Sequence, residues 1–107
     1  MENECVVVWT TIAAAADGPK LASILVDERL AACVNILGEM QSVYRWKDHI
    51  ETDRERQIVI KTTVERVAAL KARVAALHDY DLPEFIVLPI VDGSDAYLRW
   101  IRESTHW

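Results

Sequence analysis

Residues 33–62 read CVNILGEMQSVYRWKDHIETDRERQIVIKT, and this stretch decides the fold. Val34, Ile36, Met40, Tyr44 and Trp46 share one parity, so an extended chain presents them as one apolar face. Gly38 falls in the middle, where a bulge or bend is expected. Lys47-Asp48-His49 reads as the turn. Beyond it Ile50 leads into a charged stretch to Arg56, and Ile58-Val59-Ile60-Lys61-Thr62 resumes the strand pattern. The two halves form one long hairpin. Its charged outer part cannot be buried in the core of a 107-residue chain, so it projects into solvent or pairs with another subunit.

The flanking segments are read in the same way. Upstream, Cys5-Val6-Val7-Val8-Trp9 with Thr10-Thr11-Ile12 is short, β-branched and nearly continuous in hydrophobicity, as a central strand buried on both faces is. Asp17-Gly18-Pro19 is a helix-start signal. Leu21, Ile24, Leu25 and Leu30 follow at helical spacing, which predicts a helix ending near Ala31 or Ala32. Downstream, Thr62-Thr63-Val64-Glu65 reads as a capping box. Val67, Leu70, Val74 and Leu77 form the stripe of the helix it opens, which ends around His78 ahead of Pro83. Phe85 to Val91 reads as another buried strand, with Pro89 implying an edge or a bulge. Ser94 caps a short last helix carrying Tyr97, Leu98 and Ile101. The order β-α-β-β-α-β-α predicts an α+β, ferredoxin-like sandwich: an antiparallel four-stranded sheet with helices on one face. The other face needs a cover. With Tyr44, Trp46, Tyr97 and Trp100 available, a neighbouring subunit is the expected one.

Length allows one domain over residues 1–107. Apolar residues make up 51% and charged residues 27% of the chain, a globular balance. No apolar run approaches the roughly 20 residues that span a bilayer, and Met1-Glu2-Asn3-Glu4 is acidic where a secretory signal is basic. A cytoplasmic protein without a membrane partner is expected. The net charge of −5 argues against nucleic acid as a partner; it is compatible with cations, although an acidic balance is also simply what keeps many small proteins soluble. Cys5 and Cys33 do not make a disulfide framework and read as buried thiols.

Signatures of catalysis are missing. Gly18, Gly38 and Gly93 are isolated, so there is no phosphate-cradling loop. There is no Cys-x-x-Cys and no histidine pair at helical spacing, and no spacing selects a Ser-His-Asp set. A non-enzyme is expected. His49, beside Asp48 and Glu51, is either a loose cation group or a solvated turn. His78 either caps a helix C-terminus, where the dipole favours an imidazolium, or ligates metal. Cys33 either offers a thiolate to copper or belongs to the core. Lys61 and Glu84, at the ends of apolar strands, either pair or line a cleft for an anion or metal complex.

Several blocks resemble the CutA divalent-cation tolerance family. They are Glu28-Arg29-Leu30-Ala31-Ala32-Cys33-Val34-Asn35-Ile36, Ser42-Val43-Tyr44-Arg45-Trp46, Lys61-Thr62-Thr63, His78-x-Tyr80-x-x-Pro83-Glu84, Leu88-Pro89-Ile90 and Tyr97-Leu98-x-Trp100. The resemblance covers the chain from Val6 to about Ile101. It implies a tight homotrimer whose hairpins extend the sheets across subunit boundaries, and a role in copper and divalent-cation tolerance without an established catalytic reaction. A weakly bound copper(II) or other divalent ion would use His78, with Cys33 and Asp79. The alternative is a signalling or scaffold trimer, similar in architecture to PII-type proteins. It would take a small anionic effector in a cleft formed by Tyr44, Trp46, Lys61, Tyr80, Glu84, Tyr97 and Trp100. The sequence departs from the family's proposed copper ligands, having Thr10 for a cysteine and Leu77-His78 for a histidine pair. Asp48 stands for the usual turn glycine, and Asp79 for a proline.

Overall fold

A computed structural model describes residues 4–106. Four strands, β1 (Cys5–Ala13), β2 (Cys33–Trp46), β3 (His49–Thr63) and β4 (Ile86–Pro89), form one antiparallel sheet in the order β2-β3-β1-β4. Helices α1 (Gly18–Asp27), α2 (Val67–Leu77) and α3 (Asp95–Ser104) complete the expected order. The result is the ferredoxin-like α+β arrangement. Val6, Val8, Ile12, Ile58 and Ile60 from the inner strands pack with Leu25, Leu70 and Val74 of the first two helices to make the main core. A smaller cluster joins Ile101 of α3 to Cys5 and Ala32.

Helix α1 starts where its signals place it. Asp17 accepts the Lys20 backbone N–H at 3.0 Å, and Pro19 occupies the first turn. It ends earlier than its periodicity predicts. Arg29 takes a left-handed φ of 60°, the Leu30 N–H reaches back to the Leu25 carbonyl and the Arg29 N–H to that of Val26. That double bond pattern is a Schellman closure, so Leu30 is the apolar residue that follows the cap and no longer part of the helix. The capping box is also corrected. Thr62 is the penultimate residue of β3, and its buried hydroxyl donates to the Leu30 carbonyl at 2.8 Å. Thr63 makes no side-chain cap bond, and a 3₁₀ turn (Val64–Arg66) precedes α2.

The bulge falls where Gly38 predicts it, but it changes the reading of the hairpin. Ile36 pairs with Ile58, and the next pair is Glu39 with Arg56, so β2 spends one extra residue there. Val34 and Ile36 therefore share the helix-covered face with Ile60 and Ile58, while Met40 and Tyr44 share the second face with Glu55 and Glu51. Equal parity does not mean one face. The turn itself is Lys47-Asp48, both at positive φ (50° and 67°), as a two-residue type I′ hairpin demands; His49 opens β3. Strand β4 is shorter than predicted and lies at the sheet edge, with all four residues exposed. Pro89 explains the edge position, and the expected burial is absent because nothing among the described residues covers Ile86 and Leu88.

Candidate functional site

After α2 the chain crosses back over one end of the sheet through residues 78–85, and side-chain hydrogen bonds fix it there. The Tyr80 hydroxyl donates to Glu55 Oε2 at 2.8 Å. The Gln57 side-chain amide donates to Glu84 Oε2 at 2.9 Å and to the Thr10 carbonyl at 2.8 Å. Between this crossing and the hairpin lies a cleft of about 560 Å³, lined by Tyr44, Arg45, Trp46, Glu55, Tyr80, Asp81, Glu84 and Phe85 among others. Glu55 is only 7% exposed. The Tyr44 hydroxyl donates to Asp53 on the facing strand.

The electrostatics of the cleft are acidic. Hydrogen bonding to Asp53, with help from partial desolvation and the charges of Asp53, Glu55 and Glu51, pushes the Tyr44 phenol up to about 12. Burial, then the bond to Glu55, raises the Tyr80 phenol as well. Both phenols stay protonated at neutral pH and act as donors to carboxylates. Three carboxylates, Glu55, Asp81 and Glu84, face a single guanidinium, that of Arg45, in the lining.

Of the residues expected to share a cleft, Tyr44, Trp46, Tyr80 and Glu84 do so. Lys61 does not. It lies opposite Cys33 and Val7, six residues or roughly 20 Å along β3 from Glu55, and Glu84 is held by Gln57 instead. Tyr97 and Trp100 pair with each other on α3, ring centroids 5.4 Å apart, outside the cleft lining. Sequence reasoning missed Glu55, which is hidden in a charged run that otherwise reads as solvated. The available signal was its parity, opposite to Ile58 and Ile60.

His78 lines a separate pocket of about 260 Å³ beside Asp79 and Asp17. Its Nδ1 accepts the Tyr80 backbone N–H at 3.1 Å, and Nε2 sits 2.5 Å from the Thr11 carbonyl. An acceptor at Nδ1 and a carbonyl facing Nε2 assign the neutral tautomer with the proton on Nε2, so both ring nitrogens are engaged. Cys33 is on the second sheet face, its row reaching β1 at Val7, four residues or roughly 13 Å from Thr11. Its thiol contacts Asn35. The expected trio of His78, Cys33 and Asp79 is thus not brought together within one chain. No group of three or more His, Cys, Asp or Glu residues is placed to hold a metal ion among the described residues. Neither cysteine forms a disulfide among them.

The model of the family described as CutA1 divalent ion tolerance protein matches residues 6–104. The divalent-cation tolerance protein CutA of Thermus thermophilus is 48% identical over 79% of this chain and 82% of its own length. The chloroplastic CutA protein of Arabidopsis thaliana is 45% identical over 94% of this chain. The chain spans only 55% of that plant relative and 48% of the human CutA protein. Among solved structures, CutA1 from Oryza sativa superimposes with a TM-score of 0.92 at 42% identity, covering 96% of this chain and 94% of its own. The T. thermophilus protein gives 0.91 at 43% identity, covering 95% and 99%.

Proposed function

The chain belongs to the CutA1 divalent ion tolerance protein family, and on that premise we propose that it acts in divalent-cation tolerance as a homotrimer that takes copper(II) or another divalent cation weakly and reversibly. The observation that carries the cation part is the placement of His78 in a pocket beside Asp79 and Asp17. Imidazole with carboxylate oxygens is a donor set copper accepts. Coordination must displace either the Thr11 carbonyl from Nε2 or the Tyr80 N–H from Nδ1. That exchange lowers affinity and makes binding reversible, as a tolerance role needs. The assembly part is supported by the second sheet face, where Trp9, Ile86 and Leu88 are 40%, 47% and 39% exposed. A contiguous apolar face on so small a chain favours association.

Copper titration of the wild-type protein and His78→Ala tests the cation site. Weak binding by the wild type that the variant loses supports it; equal binding by both removes His78 from the site. Because no chelating cluster is built into the described fold, treatment with a chelator leaves the thermal midpoint unchanged. A drop of several degrees on chelation would contradict this reading.

A further inference from the structure

We propose that the cleft between the hairpin and the 78–85 crossing is a binding site for an organic ammonium ion, an aliphatic amine or diamine, distinct from the His78 pocket. Its acidic lining excludes the small anion that the sequence suggested. Three carboxylates against one guanidinium give a field that attracts cations and repels anions. The carboxylates are spread around the wall and form no convergent set for a bare ion, so the cation that fits is a bulkier one. Glu55 supplies the specific anchor. It is more than nine-tenths buried, yet among the described residues its carboxylate receives one hydrogen bond, from Tyr80 to Oε2, while an ionised carboxylate has about four acceptor positions. A primary ammonium brings three donors to such a group.

The aromatic lining matches the same chemistry. Tyr44, Trp46, Tyr80 and Phe85 border the cavity, and π-faces attract ammonium groups. Trp46 already attracts one: Lys47 Nζ stands 5.8 Å from its ring centroid. A methylene chain laid against the rings, with one ammonium at Glu55 and a second toward Glu84 or Asp81, uses both parts of the lining.

The test is calorimetric and Trp-fluorescence titration of the full-length oligomer with 1,4-diaminobutane, with 1,4-butanediol as the uncharged isostere. Saturable binding of the diamine and none of the diol is expected. Glu55→Gln and, separately, Glu84→Gln each weaken it by about tenfold or more, as loss of a charged hydrogen bond does. Asp27→Asn, outside the cleft, leaves it unchanged. Choline, which has no N–H donor, binds more weakly than the diamine. Equal binding of diol and diamine, or full affinity in both glutamine variants, overturns the proposal. So does stoichiometric displacement of the diamine by copper(II), which would make the cleft a metal site. Binding seen only after the oligomer is dissociated would assign the cleft to a second copy of the chain, and also overturns it.

Discussion

Thr10 lies wholly inside the molecule, and its hydroxyl has no hydrogen-bond partner among the described residues. An orphaned buried hydroxyl costs about 1–3 kcal/mol relative to an apolar group of the same shape. Thr10→Val therefore stabilises the protein by about 1 kcal/mol, read as a higher urea midpoint at unchanged slope; a loss of stability would mean that a partner has been overlooked. The tyrosines give a second prediction. With the folded-state phenols of Tyr44 and Tyr80 raised above their unfolded value of 10, the folded state holds its protons longer. The Tyr44 contribution is complete below pH 10 and is lost as pH rises through about 12, and Tyr80 acts in the same direction. Alkaline denaturation followed by circular dichroism should show that decline, and Tyr44→Phe should make it shallower. The sequence exposed the aromatic part of the cleft, because Tyr44, Trp46 and Tyr80 stand out against their neighbours. It did not expose Glu55, because a glutamate inside Glu51 to Arg56 looks solvated until a facing loop covers it. Nor did it show that His78 is engaged at both nitrogens, since one partner is the Thr11 carbonyl, sixty-seven positions away.

Each element was recognisable from its own residues, and its ends were settled by contacts from elsewhere. The stripe of α2 is as read, with Leu70 and Val74 buried. Its start is delayed because Thr62 turns its hydroxyl to the end of α1 rather than to its own helix. Two closures place side chains where glycine is favoured: Arg29 at the end of α1 and Asp48 in the hairpin turn. A non-glycine residue in this region costs roughly 1–2 kcal/mol, of which glycine's extra unfolded-state entropy returns about half. Asp48→Gly is expected to gain roughly 0.5–1 kcal/mol, a thermal midpoint a few degrees higher. Arg29→Gly gains less, because the Arg29 guanidinium also reaches the Ser104 carbonyl at 3.5 Å. If Asp48→Gly lowers the midpoint, the aspartate is held by an interaction that outweighs its backbone cost.

At the scale of the whole molecule, one sheet face is closed by α1 and α2, and the β1–β4 side of the other carries Trp9, Ile86 and Leu88 into solvent. Sedimentation of the wild type is expected to give three copies, and Leu88→Lys, which sets a charge on the exposed apolar patch of that face, to give smaller species. A wild type sedimenting as one copy would leave the apolar face without a function. The hairpin reaches far beyond this body, and the molecule measures 44 Å along its longest axis against 26 and 24 Å. Gly38, at the bulge, has neither a positive φ nor a neighbour within 4 Å of where a Cβ would stand; what matters there is the count of residues and not the glycine. The arm thus obeys an arithmetic of odd and even. Inserting a single residue into each strand, after Glu39 in β2 and before Arg56 in β3, would keep the outer pairs aligned yet exchange inside for outside at Tyr44 and Trp46, dismantling the cleft without touching its members. Adding one residue pair to each strand would only lengthen the arm. Length changes tolerated here during divergence should therefore come in even steps per strand, a rule that can be checked by building such insertions and asking which still fold.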